Sequence, residues 1–246
     1  MPLTYDPNFY RSWLPHLTGL KTLIGLLAEE GKLANHDGRT TDAVQSYLDT
    51  IRFGQEISRG GLVVEKLVGI ACERIALLGL ELLAPKLMRE ESRKLSKALE
   101  EIDRKREPWD AVLARYKTFT RRTSSLPHLV WSQMFLQKVV RESNQRFERQ
   151  AKSAEARLRL LMTDLAIRQF QSERGVYPNR LAELVPQFLK ALPRDPFGTN
   201  GFIYRTQTNG FLLYSVGPDG KDDGGTPIAA RGQSGDIPSS TLGLQP

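Results

Sequence analysis

Residues 201–225 read GFIYRTQTNGFLLYSVGPDGKDDGG. Two apolar runs rich in Phe, Ile, Tyr and Leu flank a short polar link, which is the pattern of a β-hairpin. Asn209-Gly210 lies in the link, and both residue types tolerate positive φ, so the spacing predicts a tight hairpin turn there. The second run then breaks into Asp219, Asp222 and Asp223, interleaved with Gly217, Gly220, Gly224 and Gly225. The segment just upstream is equally punctuated. Prolines stand at 178, 186, 193 and 196, and DPFG (195–198) has the Asp-first, Pro-second, Gly-fourth order of a type I turn. NRLAELV (179–185) reads as a short helix with Asn179 as its N-cap.

Before residue 175 the texture differs. Residues 1–150 read as helical, with no sustained alternation. Leu17, Leu20, Ile24 and Leu27 form a helical stripe, with Leu23 beside it. NHDGRTT (35–41) supplies a turn, and Thr41 is the expected N-cap of a second helix carrying Ala43, Tyr47, Leu48 and Ile51. After SRGG (58–61), a third helix aligns Val64, Leu67, Val68, Ala71, Ile75, Leu78 and Leu82, and Pro85 stops it. KLMREESRKLSKALEEIDRK (86–105) and DAVLARYKTFTRR (110–122) are amphipathic and charge-laced. Residues 124–175, opened by Pro127, read as two helices or one long bent one.

The expected fold class is therefore α+β, mostly α. A helical bundle precedes a long helix packed on a small antiparallel sheet. The expected division is a helical domain at 1–150 and an α+β module at 151–246, ending in a loosely held Gly/Ser/Pro-rich tail. Gly31, Ala34, Gly38, Ala43 and Tyr47 fall at the small and aromatic spacing of a tetratricopeptide hairpin. Stacked repeats need about three units, so a single one reads more readily as a helical hairpin within a bundle.

Composition narrows the function classes. The chain of 246 residues is 40% hydrophobic and 26% charged, a globular balance. Its net charge of +7 comes from 35 basic residues interleaved with 28 acidic ones. Interleaving of that kind describes solvated helix faces, and no nucleic-acid module accompanies it, so no nucleic-acid partner is expected. Cys72 is the single cysteine; it has no internal partner and sits among apolar residues, where a buried structural role is expected. It fits the cytosol and equally an exported protein without disulfides. The start of the chain lacks a basic segment followed by an apolar run. Glu65, Lys66, Glu73 and Arg74 interrupt the most apolar stretch, 61–83, which therefore reads as a core helix, not a membrane span. No catalytic constellation is legible: His16, His36 and His128 are far apart, and neither a phosphate loop nor a nucleophile elbow occurs. Tyr177, beside Pro178, is expected to anchor the turn out of the long helix. Phe188, Leu192, Phe197, Tyr204, Leu213 and Tyr214 are the candidate core of the module, with one or two of them exposed by strand alternation. Trp13, Trp109 and Trp131 are expected in the core or at an interface of the helical part.

Taken in order, ERGVYPNRLAELV (173–185), FLKALPRDPFG (188–198), GFIYR (201–205), GFLLYSVGPDGKDDGG (210–225) and GDI (235–237) resemble the C-terminal domain of the major pseudopilin of type II secretion systems. The resemblance implies a long helix on a small antiparallel sheet and a calcium-binding loop after the last long strand. It implies a structural role in assembly, with no catalytic residues. A pseudopilin opens with a peptidase site and an apolar helix of about 20 residues; here residues 1–150 stand in that place. The expectation is a protein carrying a pseudopilin-like module, with any membrane anchor outside this chain.

The cation question turns on Asp219, Asp222, Asp223 and Asp236. Calcium takes six to eight oxygens from carboxylates and backbone carbonyls, and three clustered carboxylates repel one another without a cation. The resemblance places Asp236 as the remote closing ligand, with backbone carbonyls near Ser215 and Gly217, and Ser234 where the family often has a further Asp. The spacing is not that of an EF-hand. The competing reading is a soluble Asp/Gly turn that binds nothing, partly neutralised by Lys221 or Arg231. Two functions are expected to compete. One is a non-enzymatic, extracytoplasmic bacterial envelope protein using a calcium loop in assembly or protein–protein contact, possible secretion components among its partners. The other is a cytosolic tetratricopeptide-like scaffold for a peptide or protein.

Overall fold

The computed structural model describes residues 7–123, 130–199, 201–208, 210–227 and 235–239. Its helices are α1 (Pro7–His36), α2 (Thr40–Ser58), α3 (Val63–Leu83), α4 (Arg89–Arg104), α5 (Trp109–Thr123) and α6 (Val130–Arg174). Its strands are β1 (Ile203–Gln207), β2 (Gly210–Ser215) and β3 (Ile237–Pro238), in the order β1-β2-β3 and antiparallel throughout. The α+β, mostly α class is as expected. None of the described helices is long and apolar enough to cross a membrane.

In the helical part, α2 packs between α1 and α3. Tyr47 is buried at the centre, and small residues make room for it. A Cβ on Gly31 would stand 2.8 Å from its ring, and one on Gly79 would collide with it. Ala34 and Ala43 are fully buried in the same cluster. The small-residue spacing read from the sequence thus marks a close helical hairpin.

Several local expectations are corrected. Thr41 is not the N-cap of α2: Arg39 occupies that position, and the Thr41 hydroxyl donates to Glu91 Oε1 at 2.8 Å. NRLAELV makes only a 3₁₀ turn, Leu181–Leu184, capped at Arg180, whose N–H donates to Glu183 Oε1 at 2.9 Å. The face of α3 is also different. Ile75, Leu78 and Leu82 are exposed, Leu82 at 61%, whereas Cys72, Ala76, Leu77, Leu80 and Leu83 are fully buried. Glu65, Lys66 and Glu73 are buried on this helix, so hydrophobic periodicity does not mark its packed face; the small residues facing α2 mark it instead. Cys72 is buried as expected, its Sγ donating to the Val68 carbonyl, and burial pushes its thiol up to about 11.

α6 is one helix of 45 residues, so the expected domain boundary at 150 falls inside it. Two faces of its second half serve two cores. Leu158, Leu161, Met162 and Leu165 join the helical cluster, while Leu160, Ile167 and Phe170 join Leu184, Phe188, Phe211, Leu213 and Ile237 around the sheet. Each full burial of such a side chain is worth about 1.5–3 kcal/mol. Polar ties join α4 to the module. Arg159 on α6 pairs with Asp103 at 2.9 Å and donates to the Arg194 carbonyl at 3.0 Å, and the Lys190 N–H donates to Glu100 at 3.0 Å.

The α3–α6 contact brings Glu81, Arg157 and Asp164 together, and Glu81 is the group it perturbs most clearly. Glu81 lies 4.0 Å from Arg157 and close to the buried Asp164. Burial pushes its carboxyl up from 4.5 to about 7; Arg157 opposes this and Asp164 adds to it. A raised folded pKa means that the folded protein holds this proton more tightly than the unfolded chain does. The contribution is therefore full below about pH 4.5 and lost as pH rises to about 7. Urea midpoints should fall across that window, and Glu81→Gln should flatten the fall. An unchanged pH slope in Glu81→Gln would count against the assignment.

In the module, Gln207 pairs with Gly210, so Gly210 is a strand residue and not the second residue of the turn; Asn209 lies outside the described residues. Alternation places Phe211, Leu213 and Ser215 toward α6 and Leu212 and Tyr214 on the opposite face, yet β2 is buried on both faces. Leu192 is the exposed member of the expected module core, at 39%, while Phe197 and Tyr204 are half-buried. Tyr177 packs 5.4 Å from the Phe211 ring, and the Tyr204 hydroxyl donates to the Pro178 carbonyl, which together pin the exit from α6. Trp109 is half-buried with an unpartnered indole N–H. The side chains of Trp13, Leu17, His16 and Trp131, and residues Pro127, His128, Arg231 and Ser234, lie outside the described residues.

Candidate metal site in the acidic loop

The loop begins where β2 ends. Gly217 has φ +67°, and its carbonyl accepts the Gly220 N–H at 3.1 Å, closing a turn. A Cβ on Gly217 would collide with the Gly235 carbonyl. The glycine therefore allows the returning chain at 235–236 to lie directly against the loop. Gly220, Gly224 and Gly225 also take positive φ, as the sequence predicts for a loop that folds its backbone inward.

Asp236 is the enclosed residue. It is fully buried. Its N–H donates to the Thr226 carbonyl at 2.8 Å, forming a short parallel bridge, and its Oδ2 accepts the Gly225 N–H at 2.6 Å. Its Oδ1 has no hydrogen-bond partner. Burial pushes the carboxyl above the ordinary aspartate range. The Gly225 and Asp223 amides pull it back, and the charges of Asp222 and Asp223 add to the push. A buried acceptor without a donor is completed by water or by a cation; the surrounding negative charge favours the cation.

The other expected ligands divide. Asp222 and Asp223 lie within electrostatic reach of Asp236. Asp222 Oδ1 accepts the Tyr214 hydroxyl at 2.6 Å and the Gly224 N–H at 3.0 Å. The Tyr214 bond, the Gly224 amide and Arg205, 3.5 Å away, hold its carboxyl below the ordinary value. Asp223 keeps an exposed side chain, and its carbonyl accepts from Thr226. Asp219 turns onto its own loop, accepting the Lys221 N–H at 3.2 Å. The Ser215 hydroxyl donates to Asp195 at 2.8 Å and accepts the Gly217 N–H, while its backbone pairs with Ile237. Gly217 shapes the loop. Among the described residues, no three carboxylate, His or Cys side chains stand together as a finished cage.

Three contributors escaped the sequence reading. Asp195 is buried and accepts from Ser215, from the Phe197 N–H at 2.9 Å and from the Val216 N–H at 3.2 Å, tying the DPFG turn to the end of β2. Its place at the head of a turn was the available signal, and it was read as turn chemistry alone. Tyr214 looked like core, but its hydroxyl clamps the loop over the outer face of β2, and burial together with Asp222 pushes it up to about 12. Arg205, on the neighbouring strand, is the described cation beside Asp222, where Lys221 or Arg231 was expected; Arg231 lies outside the described residues.

The chain matches no family model, no curated protein and no solved structure.

Proposed function

We propose that residues 155–239 form a calcium-organised module similar to a pseudopilin C-terminal domain. The protein would then act without catalysis, through protein–protein contact in assembly on the outer side of a bacterial membrane. The observation that carries this reading is the partnerless Oδ1 of the fully buried Asp236, set beside Asp222 and Asp223. Asp236, Asp222 and Asp223 would supply carboxylate oxygens to Ca2+, with Asp219 and the carbonyls of Ser215 and Gly217 as the remaining candidates. A bound cation would neutralise like charges and lock the returning segment, 235–239, to β2.

The test is thermal unfolding in EDTA and in millimolar calcium. A ligand that binds only the folded state adds about 2.7 kcal/mol at a hundredfold excess over Kd. For a chain of this size that is a rise of roughly 5–11 °C in Tm. Asp236→Asn keeps an acceptor for the Gly225 amide but removes the charge, and it should abolish the rise. Equal midpoints in EDTA and calcium would leave the loop a plain turn.

A second reading, a tetratricopeptide-like scaffold, is favoured by the apolar side chains that α1 and α3 leave exposed: Leu23, Leu26 and Leu33 on one, Ile75, Leu78 and Leu82 on the other. It requires no calcium response, so the same experiment separates the two.

A further inference from the structure

A second polar feature lies in the helical part, where the end of α2, the start of α3 and the chain after α4 meet. A cleft of about 40 Å³ opens there, lined by Arg59, Lys66, Lys105 and Arg106 and by Glu73 and Glu107. Four cations thus face two carboxylates, an excess of two positive charges. Neither carboxylate is free to serve the cleft. Both Glu73 oxygens are held by Arg106, and both Glu107 oxygens by Arg115, at 2.6 and 2.8 Å.

Lys66 is the centre of the imbalance. It is only 7% exposed, and its ammonium donates to the Glu107 carbonyl at 3.0 Å. An ammonium has three donors, and no side-chain carboxylate closes on this one. Burial, and next the charge of Arg106, hold its pKa below the usual lysine value, against the opposing charges of Glu107, Glu73 and Glu155. At the rim, Arg59 and Lys105 are exposed and, among the described residues, pair with the exposed Glu56 and the part-exposed Glu101. Such surface pairs are worth little and exchange readily. At roughly 10–15 Å³ per enclosed water, the cleft has the scale of about three waters, or of one tetrahedral oxyanion.

We propose that this cleft is a binding site for a doubly charged oxyanion of phosphate type, with Lys66 at its floor and Arg59 and Lys105 at its mouth. A phosphate group would meet the free donors of Lys66 and cancel the excess charge. Its fourth oxygen would face the opening, so free phosphate and a phosphorylated small molecule share the same chemistry.

The test is differential scanning fluorimetry of the whole chain in EDTA, at constant ionic strength, with inorganic phosphate, acetate or chloride as the varied anion. EDTA keeps calcium out, so the result is independent of the acidic loop. Phosphate should raise the midpoint saturably, acetate less, and chloride not at all. Lys66→Met keeps the apolar stem, and it should weaken the phosphate response by about tenfold or more, the loss expected of one charge-assisted hydrogen bond. In phosphate-free buffer its midpoint should equal or exceed that of the parent, because a desolvated charge has gone. Arg59→Gln/Lys105→Gln alters only exposed positions and should weaken the response several-fold, which keeps the test decisive if Lys66→Met does not fold. A phosphate response that survives both variants, or its absence in the parent, would overturn the site. An equal response to acetate would overturn the dianion assignment, and a glycerol phosphate arm shows whether the mouth admits a larger ester.

Discussion

Arg106→Met should destabilise the protein by about 3–5 kcal/mol, because it strands a buried carboxylate. Glu73 has a side chain only 5% exposed, and Arg106 holds both its oxygens while also reaching Asp103 at 3.4 Å. Asp103 in turn pairs with Arg159 of α6, so one guanidinium joins α3, the end of α4 and, through Asp103, the long helix. Removing it breaks the ion pair of Glu73 in a low-dielectric site. For a chain of this size the loss corresponds to a fall of roughly 6–20 °C in Tm. The informative control is Arg106→Met/Glu73→Leu. With both charges gone, no desolvated ion remains, and most of the loss should be recovered. If Arg106→Met alone melts within about 1 kcal/mol of the parent, Glu73 is not held as the geometry indicates.

Asp195→Ala should cost about 3 kcal/mol or more and should also weaken the calcium response. The carboxylate accepts three hydrogen bonds, from Ser215, Phe197 and Val216. Its removal leaves the Ser215 hydroxyl and the Val216 N–H without their acceptor at the end of β2, and each buried donor left unmet costs about 1–3 kcal/mol. Ser215 is fully buried and leads directly into Gly217, where the loop begins. Loosening it releases the segment that faces Asp236. Asp195→Asn keeps an acceptor oxygen and should lose less. An Asp195→Ala protein with unchanged stability would show that solvent replaces these bonds, and the residue would then be no support for the loop.

Much of this architecture is legible in the residues. The order of helices, the hairpin and the positive φ of the loop glycines are local features. Backbone sterics and side-chain size report them within a few positions. The errors have a common cause. Thr41 and Asn179 are good caps by type, but tertiary contacts gave Thr41 a partner on α4 and left the second segment only a 3₁₀ turn. The face of α3 was misread because Glu65, Lys66 and Glu73 are buried while Ile75, Leu78 and Leu82 are exposed, so periodicity points the wrong way. The two-sided burial of α6 was invisible because which Leu meets which core depends on partners in other elements, on α3 and α4 for one face and on the sheet for the other.

The candidate site divides along the same line. The sequence by itself determined which carboxylates are available, that glycines permit the loop to fold inward, and that a hairpin precedes it. These follow from residue type and short-range spacing. Only the tertiary structure decided that Asp236 is buried with one oxygen unmatched, that Tyr214 and Arg205 restrain Asp222, that Asp195 braces Ser215, and that Lys66 is buried at a cleft where desolvation outweighs the nearby carboxylates. Burial and hydrogen-bond satisfaction depend on which distant segments pack against a group, and no local pattern of residues carries that information.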